Sequence, residues 1–149
     1  MDMPVKPQGC TNLKLRQLMR RVAAHYDAEV GQVGLKGTQY SLLSYVVKLG
    51  PIRPGDLAAE MRVSPSTLTR NLRPLVDAGL LEISPGADAR SRLVSVTAVG
   101  REKRQEAQRR WRVAQEGINQ MLGPRRVVQL HALLDECLDL LGPGGNEED

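Results

Sequence analysis

Residues 54–99 read PGDLAAEMRVSPSTLTRNLRPLVDAGLLEISPGADARSRLVSVTAV, and the order of apolar, hydroxyl and basic side chains along them decides the fold. At about 100° per residue, Leu68, Leu72, Leu75 and Val76 fall within one quadrant, as wide a stripe as a surface helix buries. Ser66, Arg70 and Arg73 stand on the opposite face, with Thr67 and Thr69 on its flanks. Ser64 is a good N-cap and Pro65 sits where a missing N–H costs nothing, so the spacing predicts a helix that starts there. Gly79 supplies the stop. Pro74 removes the bond its N–H would have given the Arg70 carbonyl, which predicts a kink.

Upstream, residues 54–62 read as a short helix turning Leu57, Ala58 and Met61 inward, joined to the next by Val63 and the capping serine. Two short helices across so tight a turn suggest a helix-turn-helix, whose second member enters a DNA major groove while the first crosses the backbone. Downstream, residues 80–84 and 93–96 are β-forming runs, with Pro85, Gly86 and Asp88 as turn formers between them. A hairpin directly after a recognition-type helix is a wing. Arg90 and Arg92, in or beside its tip, suit a minor groove, where narrow A·T-rich stretches concentrate negative potential. Phosphates repel a carboxylate, so Asp88 is expected to fold the tip by an Asx-type turn or to hold a neighbouring arginine.

The stretch 13–141 resembles the MarR family of winged-helix transcriptional regulators. Its D-x-R-x-x-x-V-x-V-T-x-x-G run, here Asp88, Arg90, Val94, Val96, Thr97 and Gly100, is similar to that family's wing signature. STLTRNLRPLVDAGLL at 66–81 is similar to its recognition helix and following strand. The resemblance implies a homodimer with one winged helix-turn-helix per subunit, usually repressing transcription until a small molecule or an oxidant alters the spacing between the lobes. It also implies an effector pocket between the winged lobe and the dimer helices, where His25, Tyr26, Tyr40 and Tyr45 offer polar or aromatic contacts.

Both ends of the chain carry heptad-like seams of their own. Leu15, Leu18, Val22, Tyr26 and Val30 alternate by three and four, as do Ala107, Trp111, Ala114, Ile118 and Met121 on a helix capped by Thr97. After a break at Gly123 and Pro124 the pattern returns in Val127, Leu130, Leu134, Cys137 and Leu141. A chain of 149 residues can bury one core alone, so these seams suit either intramolecular packing or a dimer, and dimerisation is expected.

Charged residues make up 26% and apolar ones 41%, a balance that fits a globular domain. Phe is absent and aromatics are only 3%, so the core must be aliphatic and stacking on single-stranded bases is disfavoured. The net charge of +4 is unevenly spread: seven basic residues face three acidic ones in 1–52, eleven face seven in 53–110, and three face seven in 111–149. Such polarity suits a basic side towards DNA and an acidic far side. Lys14, Arg16, Arg20 and Arg21 suit either a solvated face or the lining of an anion pocket.

No secretion signal or membrane-spanning run stands out, so a cytoplasmic protein with free thiols at Cys10 and Cys137 is expected. The two histidines, His25 and His131, sit in no local nucleophile or metal-ligand motif, and no glycine-rich phosphate loop follows a strand. Neither an enzyme, a cofactor nor a metal site is expected; Cys137 lies on an apolar stripe, where a small hydrophobe explains it more simply than a zinc ligand.

Some members of the resembled family sense hydroperoxides through a cysteine at the start of the first helix, and Tyr26 and Tyr40 match the mutual spacing of tyrosines in those sensors. Measured from Tyr26, Cys10 falls two residues early, which rotates a helical side chain by about 200°. Oxidant sensing through Cys10 is therefore the alternative to release by a small effector. A winged protein-interaction module without DNA affinity is a further alternative.

The expected architecture is mostly α, a winged helix-turn-helix with N- and C-terminal dimerisation helices and a two-stranded β wing. Its expected parts are a flexible tail at 1–9, a dimerisation helix at 10–35, the DNA-binding domain at 36–100, C-terminal dimerisation helices at 101–142 and a flexible acidic tail at 143–149. The expected partner is double-stranded DNA, a pseudopalindromic operator with half-site centres roughly 34 Å apart. Ser66, Thr67, Thr69, Arg70 and Arg73 are assigned to bases or adjacent phosphates, Ser64 and Asn71 to the backbone, and Arg90 and Arg92 to the minor groove.

Overall fold

The computed structural model describes residues 4–88 and 91–142. Arg90, residues 1–3 and the expected acidic tail at 143–149 lie outside the described residues. The element order is α1 (Thr11–Val30), a 3₁₀ turn (Gly31–Val33), α2 (Gly37–Leu49), α3 (Pro54–Met61), α4 (Pro65–Asp77), β1 (Leu81–Pro85), β2 (Arg92–Val96), α5 (Ala98–Leu122) and α6 (Pro124–Leu141). The mostly helical winged fold expected from the pattern is present.

The lobe from α2 to β2 closes on an aliphatic core. Leu42, Leu43 and Val46 of α2, Leu57 of α3, Leu68 and Leu75 of α4, Leu81 of β1 and Val94 of β2 are each at most 1% exposed. Burying a leucine contributes about 1.5–3 kcal/mol, so these few side chains carry most of the drive that closes the lobe.

Each helix boundary has a local cause. Ser64 Oγ accepts from the Thr67 N–H at 3.2 Å and Pro65 occupies the first helical position of α4. At its far end Leu80 N–H donates to Leu75 O (2.9 Å) and Gly79 N–H to Val76 O (3.0 Å), a Schellman closure with Gly79 at φ 75°. α4 runs unbroken through Pro74. The turn between α3 and α4 closes in the same way, Val63 N–H donating to Ala58 O and Arg62 N–H to Ala59 O, but its left-handed position is held by Arg62 at φ 56° instead of a glycine.

β1 and β2 pair antiparallel from Leu81 opposite Val96 to Pro85 opposite Arg92, one residue later at the first strand and one earlier at the second than the β-forming runs suggest. Ile52 adds a further rung: its N–H donates to Val94 O at 3.0 Å and its carbonyl accepts from Val94 N–H at 2.8 Å. The base of the wing is thereby pinned to the segment that precedes α3.

Thr97 joins this lobe to α5. Its hydroxyl donates to Gly79 O at 2.7 Å and accepts from Gly100 N–H at 3.0 Å, so one side chain caps α5 and ties its start to the end of α4. Gly100 lies against the Leu80 carbonyl so closely that a Cβ there would overlap it. Asp27 of α1 completes the frame by accepting from Gly37 N–H at 2.7 Å, a carboxylate at the positive end of α2.

The terminal seams divide between two fates. Val30, Ala107, Ala114, Ile118 and Val127 are buried within the chain, whereas Leu15, Leu18, Met121, Leu134 and Leu141 are exposed. The first group is intramolecular core; the second is a bare apolar surface.

Three substitutions test this account by urea unfolding at fixed protein concentration. Gly100→Ala, which forces the joint apart, is expected to cost about 1–3 kcal/mol. Gly55→Ala, where an added Cβ meets open space inside a helix, is expected to gain about 0.5 kcal/mol. Ser64→Ala is expected to lose about 1 kcal/mol with the N-cap of α4.

Candidate nucleic-acid interface

Burial of Leu68, Leu72 and Leu75 turns the other side of α4 outward, and Ser66, Thr69, Arg70 and Arg73 are exposed there. The predicted residues on this helix therefore share one solvent-facing surface, with two exceptions in degree: Thr67 and Asn71 are half-buried at its edge. The hydroxyls are already organised. Ser64 Oγ donates to Thr67 Oγ1 at 2.9 Å, and the same Thr67 oxygen accepts from a terminal nitrogen of Arg70 at 3.3 Å. Thr69 donates its hydroxyl hydrogen to Pro65 O at 2.9 Å, which leaves its oxygen lone pairs as the outward function. This arrangement presents a guanidinium braced from the helix start, with a serine hydroxyl beside it.

At the wing, the Asp88 carboxylate accepts from both Ser91 N–H and Ser91 Oγ, each at 2.9 Å, while Ser91 N–H also reaches Asp88 O at 3.2 Å. The side chain thus folds the tip, one of the two roles expected for it. Arg92 is exposed and belongs to the first rung of β2, opposite Pro85. Its neighbour at Arg90 lies outside the described residues.

The structure adds two cations that the sequence pattern did not single out. Arg62 is exposed in the turn between α3 and α4, and Arg53 is exposed at the N-cap of α3. A non-glycine residue at positive φ carries about 1 kcal/mol of strain. The αL geometry of Arg62 comes from the backbone turn, which periodicity does not report; the absence of Gly or Asn after the last apolar residue of α3 was the one available hint.

The expected effector residues do not converge. Tyr26 and Tyr40 both meet Trp111 of α5, with ring centroids 4.0 and 4.6 Å away, and Tyr26 donates its hydroxyl hydrogen to Gln115 Oε1. Burial pushes the Tyr26 phenol above its ordinary value of 10.0, so it is neutral at physiological pH. His25 and Tyr45 are exposed instead, apart from this stack. Trp111 of α5 thus packs against one tyrosine from α1 and one from α2. A groove of about 410 Å³ lies elsewhere, lined by Val33, Glu106, Arg109, Arg110 and Val113, and contains none of the four.

Cys10 is exposed and is the N-cap residue of α1. Lys14 Nζ, one turn on, donates to Gln8 O at 2.8 Å. Cys137 is exposed on α6, so its stripe is apolar but uncovered in the single chain. Among the described residues no three His, Cys, Asp or Glu side chains gather as a metal ion would require, and no described helix is long and apolar enough to cross a membrane.

Comparison with known proteins agrees with this geometry. The sequence profile of the MarR family matches residues 33–91, from the end of the 3₁₀ turn to the wing tip. The HTH-type transcriptional regulator YwoH of Bacillus subtilis is 26% identical over 93 residues, which are 62% of this chain and 68% of that protein. The Mycobacterium tuberculosis transcriptional regulator MOSR, solved in complex with DNA, is 30% identical with a TM-score of 0.69, over 87% of this chain and 98% of its own. A mutant of Escherichia coli MarR solved with operator DNA shares the fold at a TM-score of 0.79 and 21% identity, over 85% of this chain and 92% of its own. With α4 braced at its start, the wing folded by a carboxylate and the matched profile on one lobe, the chain belongs to the MarR family of transcriptional regulators.

Proposed function

We propose that this chain is a homodimeric repressor that binds a pseudopalindromic duplex, placing α4 in the major groove and the wing in the adjacent minor groove. The observation that carries the reading is the outward face of α4. Arg70 and Arg73 are exposed over a stripe of three buried leucines, with Arg92 exposed on the wing. Arg70, braced by Thr67, is suited to bidentate readout of a guanine edge. Ser66, Thr69 and Arg73 extend the reading face, and Thr67 serves it from within by holding Arg70. Ser64 and Asn71 reach the backbone from the edges of the helix. Arg62 and Arg53 flank the helix-turn-helix turn, where phosphates pass. Arg90 and Arg92 serve the minor groove, with Asp88 shaping the tip that presents them.

Dimerisation is supported by the uncovered apolar side chains of α1, α5 and α6, among them Met19 at 65%, Met121 at 59% and Val128 at 69% exposure. Bare apolar surface of this extent marks an interaction site. In this reading residues 10–35 and 101–142 form the dimer module and 36–100 the DNA-binding lobe. A two-fold dimer spanning neighbouring turns of duplex excludes other proteins from that stretch, which is the physical basis of repression. Release by a small effector fits the joint at Thr97 and Gly100, through which any shift of α5 moves the end of α4. Oxidation at Cys10 has less support, because the cation one turn away is engaged by a backbone carbonyl.

Fluorescence anisotropy on genomic fragments selected by the purified protein tests the reading. Arg92→Ala is expected to weaken binding across sequences and to reduce the salt slope by about 1, whereas Arg70→Ala is expected to lose about 1–3 kcal/mol of discrimination at particular base pairs. Binding indifferent to both substitutions overturns the site assignment. Arg62→Gly is expected to raise stability by about 1 kcal/mol while weakening DNA binding, a trade that only a functional arginine at this position produces.

A further inference from the structure

Thr69 is exposed on α4, yet its hydroxyl hydrogen is already committed to the Pro65 carbonyl at 2.9 Å, one turn back along the same helix. What it still offers outward is the lone pairs of the oxygen and the methyl. The methyl is the second branch on Cβ, staggered about 120° from Oγ1, so it stands clear of the carbonyl that the oxygen faces.

The position of Thr69 on the helix gives that methyl a setting. At about 100° per residue it falls about 40° from Arg73 and about 60° from Ser66, so the three form one row along the flank of α4, with Arg70 beside it. All four side chains are exposed. In a major groove guanine presents two acceptors, cytosine an amino donor, adenine one of each, and thymine an acceptor and its C5-methyl. A hydroxyl whose hydrogen is spent has nothing to give the acceptors. Its lone pairs could take an amino hydrogen, but Arg70 follows in the chain and Arg73 stands one turn on, so an amino donor would enter beside two guanidinium charges. A methyl brings no charge there.

We propose that Thr69 selects an A·T pair in each half-site by closing its methyl on the C5-methyl of thymine. The Pro65 bond holds the rotamer that presents it. This rests on the placement of α4 in the major groove proposed above, and adds a side chain that specifies a base pair without a hydrogen bond. The arginines around it supply the donors that guanine and phosphate need, and Thr69 supplies the one apolar contact in its row.

Fluorescence anisotropy of the full chain on its selected duplex tests the contact, with deoxyuridine replacing thymidine at one symmetric pair of positions at a time. Uracil differs from thymine only by the methyl. For the unaltered chain, one such pair is expected to raise Kd about fourfold per half-site, the worth of one buried methyl, and hence about fifteenfold for the dimer. Thr69→Ser keeps the hydroxyl and its bond to Pro65 but lacks the methyl. It is expected to lose the same factor on the thymine duplex and to lose nothing further on the uracil one. Thr69→Val keeps the methyl and removes the lone pairs; it is expected to bind within twofold of the unaltered chain and to retain the preference for thymine. Circular dichroism is expected to match for all three, and the uracil scan of the unaltered chain stands alone should a variant misfold. A valine variant that loses the preference overturns the proposal, because the oxygen is then the reading atom. So does a serine variant that still shows the uracil penalty in full. An unaltered chain that binds no duplex overturns the DNA-binding reading itself, whereas tight binding indifferent to uracil at every position overturns only this contact.

Discussion

The orientation of α4 depends on one constraint, the removal of Leu68, Leu72 and Leu75 from water against the leucines of α2 and α3. A helix with a stripe of this width has only one way to lie on such a core, so the direction in which Arg70 and Arg73 point follows from burial on the other side. The braced hydroxyls then refine what burial sets. Ser64 caps the helix and steadies Thr67, and Thr67 steadies Arg70. The N-cap and the bracing of Arg70 thus share the same first turn, and a change at the cap reaches both.

Much of this was legible because it is periodic or local. The leucine spacing of α4, the serine–proline start and the Gly79 stop each depend on neighbours within a few residues, and the structure places all three as the spacing suggests. The turn residues of the wing and the Asp88 carboxylate belong to the same class. What escaped is long-range or conformational. The rung between Ile52 and Val94 joins residues far apart in the chain, and nothing in the spacing around Ile52 announces it. The meeting of Tyr26 and Tyr40 on Trp111 required knowing how three helices converge, so of the four residues grouped by resemblance two meet one indole and two are exposed. Arg62 escaped because its backbone angle, not its identity, sets it apart.

The connection from the winged lobe to the terminal helices is short and stiff. Thr97 reaches the last carbonyls of the α4 turn, and Gly100 lets α5 approach the Leu80 backbone more closely than any side chain permits. At the other end Tyr26 and Gln115 bind α1 to α5, and Asp27 holds the start of α2. α4 is therefore fixed to a frame made of α1 and α5. In a close-packed joint of this kind, movement is transmitted instead of absorbed, since the interior has no slack to take it up.

Charge distribution gives that frame its direction. Basic residues dominate up to residue 110 and acidic ones beyond it, which sets the helix-turn-helix and the first half of α1 against the last helix. Towards a polyanion the basic lobe gains at long range, while the acidic end is repelled, and the molecule turns before it docks.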